Sequence, residues 1–219
     1  MVLLQHSRNP YIGPWFGLVF CVYRATLRHC RAEESIQMKI YLVRHGQAAD
    51  TWQVSDDPGL SVLGHQQAAA TAKQLSEQVG PDIQLVSSPL LRARETALPF
   101  ATTLGAEVSI IEAFREIPTP VPRPERQAWL HSIARQSWGE QHEMVRDWHR
   151  ALLQQLRQIR HPTVVFTHFM ALNAIVGTLS ANDKVMCFLP DNASITTLEW
   201  DDESLQVVEL GRQFRALAH

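Results

Sequence analysis

Hydrophobic and polar positions along this chain fall into blocks that read as short apolar strands alternating with amphipathic helices. Lys39 to Val43 is a β-branched and aromatic run, which predicts a central strand covered on both faces. Ala48 to Gly59 is polar and ends in Asp56-Asp57-Pro58-Gly59, a loop by its turn chemistry. Ser61 then suits a helix cap, and Ala68, Ala72, Leu75 and Val79 recur at helical spacing until Gly80-Pro81. Ile83 to Val86 predicts a second strand. Ser88-Pro89 predicts a helix start, with Leu90, Ala93, Ala97, Ala101 and Leu104 on its apolar face. Pro99 should kink or interrupt that helix, and Gly105 should cap it.

Glu107 to Ile111 reads as a third strand. Prolines at 118, 120, 122 and 124 then permit neither a helix nor a central strand, so an extended loop is expected. The pattern around Trp129, His131 and Trp138 assigns no element. Helical spacing returns from Glu140 to Arg160, a buried strand covers Thr163 to Thr167, and a helix follows from Phe169 to Leu179. Ile195 to Trp200 and Leu205 to Leu210 read as a closing hairpin. The alternation predicts an α/β protein, a three-layer α/β/α sandwich with a mostly parallel central sheet.

Residues 1–37 read differently. The apolar stretch Tyr11 to Tyr23 is broken by Gly13, Pro14 and Gly17 and falls short of the ~20 apolar residues that a spanning helix needs. It is followed by no small-x-small cleavage site. The expectation is a leader at 1–37, poorly ordered or a mis-assigned start, with a weak membrane or partner contact, or an arm packed on the domain, as the alternatives. One domain is expected over 38–219.

Composition narrows the function. Hydrophobic residues make up 45% and charged residues 19%, enough for a packed core. A net charge of -2 gives no global reason to expect nucleic acid or a membrane surface as partner, so anion binding must be local. Cys21, Cys30 and Cys187 form neither a disulfide framework nor a zinc spacing, and the scattered histidines form no metal motif. A cytoplasmic, metal-free and cofactor-free protein is expected.

Three strand-to-helix junctions carry polar groups: Arg44-His45-Gly46, Ser87-Ser88 with Arg92 one turn on, and Thr167-His168. In a parallel sheet these junctions share the carboxyl edge, where ligands bind, and helix starts add amide donors for an anion. Taken singly, each residue has an ordinary structural reading. A strand-end histidine is usually a hydrogen-bonded structural group, and Arg92, Arg94, Glu95 and Glu116 would usually be solvated charges. Two histidines and two arginines at such junctions together point to an anion pocket.

The chain resembles the histidine phosphatase superfamily, also called the phosphoglycerate mutase-like family, from Met38 nearly to its end. The resemblance rests on Arg44-His45-Gly46, Leu60-Ser61-x-x-Gly64-x-x-Gln67-Ala68, Ser87-Ser88-Pro89-Leu90-x-Arg92-Ala93-x-Glu95-Thr96, Arg115-Glu116 and Thr167-His168, in that order. It implies a phosphoglycerate mutase-like fold and a phosphohistidine formed on His45. It also implies that Arg44, Arg92 and His168 bind the phosphoryl group, and that Glu116 is the proton donor. The chemistry accounts for this set. Arginine forks stay charged and match the equatorial oxygens of a transferring phosphoryl group, while the histidine splits one displacement into two. Glu116 must carry a proton as the leaving oxygen departs, a state that burial beside Phe114 and Ile117 would favour.

Mutases of the family usually have an asparagine shortly after the histidine and a Glu-Arg-x-Tyr sequence at the acid. Here those places read Gln47-Ala48-Ala49-Asp50-Thr51 and Glu116-Ile117-Pro118-Thr119. The expectation is therefore a phosphoric monoester hydrolase acting on a small phosphorylated metabolite or a phosphoprotein. A phosphomutase and a catalytically silent phospho-ligand binding module are the alternatives. The insert from Pro118 to Trp138 is expected to meet the rest of the substrate, with Arg123, Arg126, Trp129 and His131 at the pocket mouth. Trp129 and Trp138 serve equally well as fasteners of that loop.

Overall fold

The apolar runs read from the sequence lie side by side in the middle of one sheet. The computed structural model describes residues 38–50, 55–201 and 204–214; the leader expected at 1–37 lies outside them. The strands are β1 (Lys39–Arg44), β2 (Gln84–Ser87), β3 (Val108–Ile110), β4 (Thr163–Thr167), β5 (Ile195–Asp201) and β6 (Ser204–Glu209). Their order across the sheet is β3-β2-β4-β1-β5-β6. The first four are parallel, and the β5–β6 hairpin adds two antiparallel strands on the β1 side.

Five α-helices cover the sheet among the described residues: α1 (Val62–Gln78), α2 (Leu91–Leu104), α3 (Arg126–Ile133), α4 (Glu143–Leu156) and α5 (Phe169–Leu179). Alternate residues of β1 feed opposite layers, as the strand period of two requires. Ile40 and Leu42, with Val165, pack with Leu152 and Leu156 of α4 and Leu172 and Ile175 of α5. Tyr41 and Val43, with Val164 and Phe166, pack with Leu75 of α1 and Phe100 of α2. This is the expected three-layer α/β/α sandwich.

The departures from expectation have local causes. Ser88 does not cap α2, which begins three residues later at Leu91. The Leu91 amide is taken by the Asp57 carboxylate at 2.9 and 3.1 Å, and the Ser88 hydroxyl accepts from Leu90 N–H instead. Pro99 forfeits one ladder bond yet does not break α2, which is held on both sides of it by buried Ala97, Phe100 and Ala101. The proline run ends in a 3₁₀ turn at Arg123–Glu125, and α3 occupies the stretch that periodicity left unassigned. No described helix is long and apolar enough to cross a membrane.

Candidate active site

His45 stands one residue beyond β1, where the sheet continues through its backbone. Its amide donates to Thr167 O at 2.9 Å, and its carbonyl accepts from Ala193 N–H at 3.3 Å. The turn that follows is fixed by close backbone approach. A Cβ on Gly46 would lie 2.6 Å from the Gly64 carbonyl oxygen, and one on Gly64 would overlap the Gln47 carbonyl oxygen. Gly46 N–H donates to Thr96 Oγ1 at 3.0 Å, and that hydroxyl donates to the Arg92 carbonyl at 2.6 Å. The His45 turn is thereby tied to the turn of α2 that carries Arg92.

The His45 ring has a defined tautomer. Nδ1 lies 2.7 Å from the Gly46 carbonyl, which can only accept, so Nδ1 carries the proton. Nε2 then accepts from Arg92 Nε at 3.2 Å. Burial, followed by the charges of Arg92 and Arg44, pushes the His45 pKa well below its ordinary value. The result is a neutral imidazole with its lone pair on Nε2.

Arg92 is 2% exposed and ion-pairs through Nη1 with Asp57 Oδ1 at 3.7 Å. Burial lowers its pKa, and the Glu116 and Asp57 carboxylates oppose that shift. Arg44 donates to the Pro190 carbonyl at 2.7 Å, and its guanidinium sits 5.1 Å from the Phe169 ring centroid. Burial lowers its pKa to about 10, with Glu116 and Asp191 opposing, so it stays charged at neutral pH.

His168 is fully buried, with its ring centroid 5.1 Å from that of His45. Nε2 lies 2.7 Å from Ser88 Oγ, while Nδ1 has no hydrogen-bond partner. Burial and the neighbouring His45, Arg92 and Arg44 push its pKa well down.

Glu116 is held by the carbonyls on either side of it in the chain. Phe114 O accepts from Thr167 Oγ1 at 2.8 Å, Arg115 O from Trp148 Nε1 at 3.1 Å, and Ile117 O from Arg126 Nη2 at 3.1 Å. Its Oε1 accepts two amides, Ile117 N–H at 3.0 Å and Met170 N–H at 3.1 Å. The helix starts thus do not stand open for a ligand as the sequence led one to expect. Each is met by a protein carboxylate, Asp57 at α2 and Glu116 at α5.

Arg44, His45, Arg92 and Glu116 share the wall of one cavity of about 500 Å³. His168, fully buried with its ring 5.1 Å from that of His45, stands next to that wall. Arg123, Arg126 and His131 line the same cavity, whereas Trp129 packs against the core and Trp138 is buried within it. Sequence reasoning missed two residues. Asp57 braces Arg92, and Glu95 accepts from Leu60 N–H at 2.6 Å and so fastens the loop to α2. Glu95 was expected to be a solvated helix charge, and no local pattern marks either role. Among the described residues no group of three or more His, Cys, Asp or Glu side chains is placed to hold a metal ion.

An α/β/α sandwich with a histidine and two arginines on the wall of one cavity is the class of protein that the fold and site define. More specifically, the chain belongs to the histidine phosphatase superfamily (branch 1), whose family model matches residues 40–213. A PE-PGRS family protein of Mycobacterium tuberculosis is 37% identical over 83 residues, a match that takes in 36% of this chain but 14% of that protein. Two solved structures share the fold. Phosphoserine phosphatase from Entamoeba histolytica, in complex with 3-phosphoglyceric acid, is 22% identical with a TM-score of 0.63, over 80% of this chain and 98% of that one. A putative alpha-ribazole-5'-P phosphatase from Escherichia coli is 16% identical with a TM-score of 0.63, over 83% and 99%.

Proposed function

We propose that this protein is a phosphomonoester hydrolase that works through a phosphohistidine on His45. The observation that carries the reading is the state of that ring: neutral, protonated on Nδ1, its Nε2 lone pair directed to Arg92 within the cavity. A protonated or oppositely tautomerised ring has no such electron pair to offer.

In the first step the Nε2–P bond forms as the ester P–O bond breaks. Arg44 and Arg92 hold the equatorial oxygens, with Arg92 Nε passing from His45 to the phosphoryl group. The Ser88 hydroxyl, by donating to His168 Nε2, leaves the proton on His168 Nδ1, the buried nitrogen that otherwise lacks a partner. That N–H is a third donor to the phosphoryl group. Glu116 gives its proton to the departing alkoxide. Both amide bonds fall on Oε1, so Oε2 is the oxygen that carries the proton. In the second step Glu116 takes a proton from water, the water oxygen bonds to phosphorus, and the Nε2–P bond breaks. The Gly46 carbonyl accepts the Nδ1–H bond throughout and steadies the positive ring. Positive charge comes from the two guanidiniums, so the chemistry needs no metal.

The purified chain should hydrolyse para-nitrophenyl phosphate in excess EDTA. Acid quenching should give an acid-labile, base-stable phosphoprotein in the wild type that is absent in His45→Ala. A label that persists in His45→Ala sinks the nucleophile assignment. A protein that binds phosphate yet turns nothing over between acidic and neutral pH is instead a phospho-ligand binding module.

A further inference from the structure

The two guanidiniums beside His45 are braced differently. Arg92 has a carboxylate at hand, with Asp57 Oδ1 3.7 Å from its Nη1. Arg44 pairs with no carboxylate among the described residues. It rests on the Pro190 carbonyl, 2.7 Å from Nη1, and on the Phe169 ring, while its buried Nε bonds nothing. Yet a carboxylate is near. Asp191 follows Pro190 in the chain, and its charge acts on Arg44. What holds that carboxylate elsewhere is Arg212.

Arg212 grips the very peptide on which Arg44 rests. Its carbonyl accepts Asp191 N–H at 2.8 Å. That N–H shares a planar unit with the Pro190 carbonyl, so the bond fixes the plane from which Pro190 O meets Arg44. Arg212 Nε donates to Asp191 Oδ2 at 2.9 Å, and Nη2 donates to the Asn192 carbonyl at 3.4 Å. Asp191 Oδ1 accepts Asn192 N–H at 2.8 Å. Both carboxylate oxygens are thus occupied, and neither Asp191 nor Arg212 lines the cavity. The two side chains are 32% and 67% exposed, and an ion pair so placed adds little stability. Its effect lies in where it keeps the carboxylate.

We propose that Arg212 is a positioning residue for the phosphoryl site, one that keeps Asp191 from neutralising Arg44. Without it, Asp191 Oδ2 loses its partner beside a guanidinium that has no carboxylate of its own. Pairing of the two draws the Arg44 fork off the Pro190 carbonyl. The phosphate must then compete with a carboxylate already in place. The inference rests on the reading of Arg44 as a phosphoryl ligand and deepens it by naming what keeps that arginine available.

Calorimetric titration with inorganic phosphate tests it on the full chain, beside kcat/KM for para-nitrophenyl phosphate. Arg212→Ala should weaken phosphate binding by about tenfold or more, the strength of one charge-assisted bond, with a matching fall in kcat/KM. Arg212→Ala/Asp191→Asn should recover to within about threefold of the wild type, since the competing charge is gone while an oxygen remains for Asn192 N–H. An undiminished affinity in Arg212→Ala overturns the inference. So does a loss that Asp191→Asn fails to recover, which would belong to a loosened 189–194 segment. Should Arg212→Ala not fold, Arg212→Met, of similar length, is read in the same way. A wild type that binds phosphate but turns nothing over overturns the hydrolase reading alone, and the phosphate titrations still decide this one. A wild type that neither binds phosphate nor hydrolyses para-nitrophenyl phosphate overturns both.

Discussion

A histidine held neutral in the interior makes a protein sensitive to acid. The pKa of His45 and of His168 lies well below the value near 6.5 that each regains in the unfolded chain. The unfolded state therefore binds more protons below about pH 6.5, and stability falls as pH is lowered. The stabilisation is complete above that pH and is lost at about 1.4 kcal/mol per pH unit for each histidine until its folded pKa is reached. Urea denaturation at pH 7, 6 and 5 should show this slope, and His45→Gln/His168→Gln should flatten it. The other residue to probe is Glu116. Glu116→Gln keeps an oxygen for the Ile117 and Met170 amides but brings no proton to the leaving group. It should cost about 10²–10⁴ in kcat on alkyl phosphates and under about tenfold on para-nitrophenyl phosphate, whose leaving group needs little help. Equal losses on both substrates would contradict the acid role.

At the scale of elements, the site depends on how closely the His45 turn meets the start of α1. A Cβ at Gly64 would overlap the Gln47 carbonyl oxygen, a backbone atom that cannot swing aside. Overpacking of this kind costs about 1–3 kcal/mol, against at most about 1 kcal/mol gained in helix propensity. Gly64→Ala should therefore lower Tm by roughly 2–8 °C and reduce turnover, since Gln47 lies two residues from His45. Gly80, where an added Cβ meets nothing within 4 Å, supplies the control, and Gly80→Ala should be neutral or slightly stabilising. The elements themselves were largely legible in the sequence. Thr163 to Thr167 is legible to the residue and the helix from Phe169 to about Leu179 nearly so, because continuous burial leaves an uninterrupted apolar signature. The start of α2 was misread because the Ser88 hydroxyl serves His168, while the cap comes from Asp57, 34 residues upstream of Leu91. Glu95 escaped notice for the same reason: its partner, the Leu60 amide, is 35 positions away. Side chains that act across such separations leave no periodic trace.

Over the whole molecule, the junction logic of a parallel sheet brought together the residues singled out from the sequence, because β1, β2 and β4 are neighbours with their carboxyl ends on one edge. What no pattern foretold was the order in which they stand. β4 lies between β1 and β2, pairing Ile40 with Thr163 on one side and Gln84 with Thr163 on the other. During synthesis on the ribosome, β1 and β2 thus emerge long before the strand that must separate them. Joined to each other in a native-looking ladder, they would shut β4 out and trap the chain. A nascent chain must keep the two apart, as open edges, until the 75 residues between Ser87 and Thr163, and then β4 itself, have been made. The arrangement that sets His45 beside His168 therefore leaves this protein dependent, at birth, on slow late pairing and on whatever shields bare strand edges in the cell.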